Sequence, residues 1–185
     1  MTKSMIVVGA YGDKEGLHSG AVYLYNRKDH SLITKLQAND ERDNAFGYSL
    51  FANDEMVVVG AYLDNEKGHN AGAVYIYLKN KAGNFSFTQK IFSNEIEVGD
   101  SFGHTITYHN YRLLISAPEE NKKRGALYIF ALTEDNLFQQ QKRIAPNSLK
   151  EGDHFGHALA MNDNLLAVSA HQSSIEHNAS GSVYT

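Results

Sequence analysis

This chain contains no cysteine, no long apolar run and no excess of basic residues. Without thiols there are no disulfides and no Cys-type zinc site, which leaves the compartment open because an exported domain can also lack cysteine. The longest apolar run lies near Met56–Ala61 and falls far short of the ~20 residues a membrane-spanning helix needs. Met1-Thr2-Lys3-Ser4 leads straight into strand-like Met5–Ala10, so the chain as it stands shows no apolar stretch with a cleavage site of the export type. A formal net charge of -4 argues against sequence-independent nucleic-acid binding, which runs on clustered Lys and Arg. The one basic cluster, Lys122-Lys123-Arg124, follows Glu119-Glu120 and reads as a solvated turn. Also missing are a Gly-x-Ser-x-Gly elbow, a His-Glu-x-x-His pair and a phosphate-binding glycine loop, so nothing in the pattern calls for catalysis.

What is present is repetition. A Phe-Gly pair stands thirteen residues before a small-Ala step three times: Phe46-Gly47 with Gly60-Ala61, Phe102-Gly103 with Ser116-Ala117, and Phe155-Gly156 with Ser169-Ala170. A Gly-x-apolar-Tyr strand follows each, at Gly72–Tyr75, Gly125–Tyr128 and Gly181–Tyr184. Gly9-Ala10 with Gly20–Tyr23 is a further copy that lacks the Phe-Gly segment. The small-Ala steps are 51, 56 and 53 residues apart, a period that fits propeller blades of four strands rather than helical solenoid units. With 185 residues, 42% of them apolar, the chain is one domain's worth of globular protein.

Within each unit the expected first strand is Tyr48–Ala52, His104–Tyr108 or His157–Met161. A short polar turn leads to a continuously apolar second strand, Met56–Ala61, Leu113–Ala117 or Leu165–Ala170, whose pattern implies burial on both faces. The fourth strand, Leu32–Gln37, Phe85–Phe92 or Leu137–Ile144, is the most polar and suits an outer rim. A helix over Glu134–Ile144 is the rival local reading, since Gln-Gln-Gln-Lys-Arg has good helix propensity; register with the other units outweighs it. The expected division is therefore all-β, one partial propeller over 1–185: blade A 5–37 (strands two to four), blade B 46–92, blade C 102–145 and blade D 155–185 (strands one to three). Phe46, Phe102 and Phe155 read as wedges between blades. Gly47, Gly103 and Gly156 suit a positive φ or a close chain approach, and Gly60 belongs to the same repeat motif. Asp100 and Asp153, two residues before Phe, and Asn44 in the same place, can accept turn N–H groups.

Phe-Gly, then Gly-Ala-Pro, then Gly-x-x-Tyr resembles the FG-GAP repeats of integrin α propellers, which also occur in bacterial surface and secreted proteins. The resemblance runs from Met5 to Tyr184; Tyr11, Tyr62 and His171 replace the expected proline and Pro118 retains it. It implies a seven-bladed ring of which this chain, at about 3.5 blades, is half, and an extracellular or cell-surface setting. The family's calcium hairpins do not carry over. Asn53-Asp54-Glu55, His109–Arg112 and Asn162–Asn164 are too short and too poor in oxygen donors for calcium, so no cofactor and no metal are expected.

The loops between second and third strands vary most, separating the two motifs by 11, 12, 9 and 12 residues. They supply the candidate ligand-face residues: Asp13, Glu15 and His18; Asp64, Glu66 and His69; Glu119, Glu120 and Arg124. Two carboxylates and an imidazole in one loop could hold a divalent metal, but related surface loops with turn-forming Asp and Gly explain the same residues. His104 and His157 occupy equivalent places, with Tyr48 at the third. Ordinary strand-end hydrogen bonding is preferred there over an imidazole pair near the axis. The functional expectation is a non-enzymatic binding or adhesion module recognising a protein or surface ligand. A structural piece of a larger secreted propeller is the alternative, and a propeller enzyme with a site near the axis stands behind both. With no inner strand in the first unit and no outer strand in the last, two copies pairing as a homodimer could complete a ring.

Overall fold

The structure, a computed structural model, describes residues 2–12, 20–38, 44–173 and 180–185. Among these residues fourteen strands form four antiparallel sheets, each a propeller blade. Blade A holds β1 (Met5–Ala10), β2 (Ala21–Asn26) and β3 (Leu32–Leu36). Blade B holds β4 (Ser49–Ala52), β5 (Met56–Ala61), β6 (Ala73–Lys79) and β7 (Phe85–Ile91). In blade C, β8 (Ile106–His109) and β9 (Arg112–Ala117) are followed by a short left-handed turn, α1 (Glu120–Lys123), then β10 (Ala126–Leu132) and β11 (Phe138–Ile144). Blade D holds β12 (Phe155–Met161), β13 (Leu166–Ala170) and β14 (Ser182–Tyr184).

The sequence pattern explains why these are blades. On β5 and β6 every residue from Met56 to Ala61 and from Ala73 to Tyr77 is buried. Successive residues point to opposite faces. Val57, Val59, Ala61, Ala73, Tyr75 and Tyr77 join blade A's Met5, Val22, Leu24 and Leu36 in one core. Met56, Val58, Val74 and Ile76 join blade C's Leu113, Ile115, Tyr128 and Phe130 in the next. A third, smaller core holds Leu114, Leu127 and Leu149 against Val168 and Ala170. Each core contains one repeat phenylalanine, Phe46, Phe102 or Phe155, at no more than 2% exposure. The wedge expectation holds.

How that phenylalanine is seated depends on backbone geometry. The residue before it is left-handed in all three cases (Ala45 φ 51°, Ser101 60°, His154 54°), and so is the glycine after it (Gly47 93°, Gly103 90°, Gly156 94°). The resulting kink lets the segment lie along the strand-three approach of the preceding blade. Ser101 N donates to Asn70 O (3.1 Å) and Phe102 N to Ala71 O (2.9 Å). His154 N likewise donates to Lys123 O (2.8 Å) and Phe155 N to Arg124 O (3.0 Å). A Cβ at Gly72 or Gly125 would strike the carbonyl of Phe102 or Phe155, so close approach demands glycine there. The turns are capped as expected: Glu97 N donates to Asp100 Oδ2 (2.6 Å), Lys150 N to Asp153 Oδ2 (2.8 Å) and Phe46 N to Asn44 Oδ1 (3.1 Å).

Register with the other units decides the rival local reading against the helix. Glu134–Ile144 is not helical. Phe138–Ile144 pairs with β10, and Phe138 at 2% exposure anchors the strand while its glutamines lie at the sheet's edge. The basic cluster is a solvated turn, with Lys122 and Lys123 exposed. Asn121, Lys122 and Lys123 take φ of 51°, 60° and 66°, and Glu120 within that turn is buried.

Candidate ligand face

Because β4 and β5 run antiparallel with Ser49 opposite Gly60, each Phe-Gly start and small-Ala end lie at the same end of the blade. Gly60 itself packs its bare Cα against the Gly103 carbonyl of the next blade. The loops between second and third strands and the straps between blades therefore gather on one face. The hairpins β4–β5, β8–β9 and β12–β13 form the other.

On the hairpin face the acidic groups join one blade to the next. Asp54 accepts Lys3 N (3.1 Å), Ser4 N (3.1 Å) and Ser4 Oγ (2.7 Å), bonds that hold its carboxyl below the ordinary value. Asp163 Oδ1 lies 2.7 Å from His109 Nε2 and accepts Asn110 Nδ2 at 2.9 Å. These carboxylates do not fit a calcium loop: each is engaged by nitrogen or hydroxyl donors, and too few oxygens surround it. Among the described residues no group of three or more His, Asp or Glu stands where it could hold a metal ion.

On the loop face a three-part network recurs. Asp64, at 1% exposure, accepts the Tyr75 hydroxyl (2.8 Å) and pairs with Lys90 (2.7 Å), whose ammonium also reaches Glu66 (2.8 Å) and lies over the Tyr75 ring. In blade C, Glu120 accepts the Tyr128 hydroxyl (2.6 Å) and pairs with Arg143 through Nε (2.8 Å) and Nη2. Tyrosine and cation are direct cross-strand partners in three blades: Tyr23 with Lys35, Tyr75 with Lys90, Tyr128 with Arg143. Burial, with the bond to Glu120, pushes the Tyr128 hydroxyl up, which keeps it a donor. A buried carboxylate is stable here because both a hydroxyl and a cation meet it.

Nearer the inner strands, rings form a continuous arc. Tyr11 meets Tyr48 (5.4 Å between centroids), Tyr48 meets Tyr62 (4.4 Å) and His104 (5.1 Å), and His104 meets His157 (5.1 Å). The arc ends with His157 against His171 (4.0 Å) and His171 against His154 (5.3 Å), whose Nδ1 lies 2.9 Å from Glu119. His104 does make ordinary contacts, to Thr105 Oγ1 (3.2 Å) and the Tyr48 hydroxyl (3.4 Å), yet the imidazoles also pair. Burial, then the neighbouring His157, lowers the His104 pKa to about 4. His171 moves the same way for the same reasons in the same order.

Two recesses open on the loop face around Asn121 and Arg143 of blade C. The larger, about 640 Å³, is lined by Glu95, Glu97, Asp100, Glu120, Asn121 and Arg143. Burial, reinforced by the charges of Glu120 and Glu97, raises the Asp100 pKa to about 6. The smaller, about 210 Å³, adjoins it and includes Arg124, Arg143, Asn121 and Asn147.

The sequence-derived candidates thus divide. Asp64 and Glu120 are buried members of the tyrosine networks, and Glu119 is bound to His154. Glu66 and His69 have exposed side chains, and Arg124 lines the smaller recess. Asp13, Glu15 and His18 lie outside the described residues. Sequence reading missed Lys90 and Arg143, and saw Asp100 only as a turn cap. A signal existed, because a cation follows Tyr75 and Tyr128 at the same fifteen-residue distance.

Comparison with known proteins agrees with this geometry. The FG-GAP repeat model matches residues 31–77 and 138–185. Integrin alpha-11 of Mus musculus is 27% identical over 159 residues, an alignment covering 75% of this chain and 13% of that protein's length.

Proposed function

The chain belongs to the FG-GAP repeat family, and on that premise we propose that it is a non-enzymatic, integrin-like binding module. Its ligand is a protein or surface-bound molecule, met by the loop face in an extracellular or cell-surface setting. The supporting observation is the contrast between the two ends. Hairpin carboxylates are consumed in blade-to-blade bonds, whereas Glu66, His69, His157 and His171 present exposed side chains on the loop face. A rigid scaffold with chemically varied loops is the usual layout of a recognition surface.

The test is adhesion of protein-coated beads to immobilised extracellular proteins. Glu66→Ala with His69→Ala should abolish whatever specific adhesion is found while leaving the fold intact. Asp54→Ala with Asp163→Ala should leave adhesion unchanged. The reverse pattern would move the footprint to the hairpin face and overturn this reading.

A second reading concerns assembly. Ile6 and Val8 on blade A and Val183 on blade D are exposed at positions whose counterparts in other blades are covered. A second copy covering these faces would make a homodimer that completes the ring. Light scattering giving a compact monomer that does not associate would rule it out.

A further inference from the structure

We propose that the smaller recess, between the 121–125 loop, the end of β11 and the segment that follows it, is an oxyanion-binding site with Arg124 as its main contact. The proposal deepens the loop-face reading by naming a ligand chemistry for part of that face. Its first support is an unsatisfied donor. Arg124 Nε is the one buried side-chain nitrogen or oxygen among the described residues that lacks a hydrogen-bond partner. A buried donor without an acceptor is costly, and native structures supply one from an ion, water or ligand. The guanidinium's nearest carboxylate does not fill the role: Glu151 lies 3.8 Å from Arg124 Nη2 and is already 2.8 Å from Lys122.

The second support is the lining. Neither Asp nor Glu is among the residues that line this recess. Arg124 and Arg143 are there, with Asn121 and Asn147. Arg143 is held by Glu120, so it supplies positive field more than a new bond. The adjoining recess carries four carboxylates and repels the same ligand. At about 210 Å³ the site is smaller than the ~300–1,000 Å³ pockets of drug-sized molecules, which suits one anionic group of a larger partner. A guanidinium turned so that Nε–H and an Nη–H both meet two oxygens gives the strong forked geometry.

Carboxylate, sulfate and phosphate share this chemistry. Calorimetric titration of the full chain with sodium sulfate, sodium phosphate or sodium acetate, against sodium chloride at equal ionic strength, separates them. Saturable binding of at least one is expected. Saturation by acetate would identify an acidic side chain as the source, and saturation by sulfate or phosphate alone a sulfated or phosphorylated group. Arg124→Ala should weaken binding about tenfold or more. Arg124→Lys, which keeps charge but not the fork, should fall between. Asn147→Ala should cost a few-fold, and thermal melts of all three should show that they fold. Binding that is absent for all three anions, or equal in wild type and Arg124→Ala, overturns the site. Anion binding can be lost in Arg124→Ala and yet be unaffected by Glu66→Ala with His69→Ala. That outcome keeps the recess even if the adhesion test fails.

Discussion

After the Phe-Gly pair, blade B carries Tyr48 where blades C and D carry His104 and His157; after the small-Ala step, blades A and B carry Tyr11 and Tyr62, blade C Pro118 and blade D His171. The arc begins Tyr11, Tyr48, Tyr62 and ends His104, His157, His171, at matched positions of the same repeat. The rings pack at similar distances in both halves, so the backbone treats them alike. Their chemistry differs: in the histidine part of the arc, burial and then the neighbouring His157 lower both His104, to about 4, and His171. The halves also differ in mass of core. Among the described residues the B–C and A–B cores hold fourteen and eleven buried side chains, the C–D core six. One repeat therefore yields two heavily packed junctions, A–B and B–C, and a lighter one, C–D, beside which the lowered histidines lie.

The largest test of that contrast is the phenylalanine wedge. Phe102→Ala should cost about 3–5 kcal/mol by urea unfolding, since it empties the largest core and loses edge contacts with Tyr128 and Phe130. Phe155→Ala should cost less, its one ring partner being Tyr184. Equal losses would erase the distinction between junctions. Next in size is the tyrosine network, which should behave alike in blades B and C. Tyr75→Phe and Tyr128→Phe each remove a bond to a buried carboxylate, worth about 1.5–3 kcal/mol. Loss in only one of them would mean the networks are not equivalent.

Acid sharpens the contrast further. His104 titrates near pH 4 in the fold against 6.5 unfolded, so between those values the unfolded chain binds more protons and stability falls as pH drops. Asp100 acts oppositely: raised from 3.8 to about 6, it favours the fold in acid and loses that contribution as pH rises through the same window. His104→Tyr should flatten the acid loss. Asp100→Asn, which copies Asn44, should raise stability at pH 7–8 by on the order of 1–2 kcal/mol. Hydrogen exchange at pH 5 should open blades C and D before A and B; uniform exchange would contradict the division. Smallest of all, Glu66→Ala or His69→Ala should shift stability by less than about 0.5 kcal/mol in thermal melts.

The repeat itself was legible in the sequence. Phe-Gly, small-Ala and Gly-x-x-Tyr at fixed spacing specified the antiparallel strands, and continuous apolar runs such as Met56–Ala61 specified burial on both faces. Those are properties of period and composition, and local chain geometry enforces them: a left-handed glycine after Phe, and a bare Cα where two backbones meet. What the sequence could not decide was which polar loop residues turn inward. Asp64 and Glu120 look in sequence like Glu66 and Glu119, two or fewer residues away. Only cross-strand register, which sets Tyr75 beside Lys90 and Tyr128 beside Arg143, draws one acid of each pair into the blade. The imidazole contacts and the two oppositely charged recesses likewise join residues some fifty or twenty apart in sequence, brought together by blade-on-blade packing. Pattern along the chain reports what one blade must bury, and stacking of blades decides which charges meet.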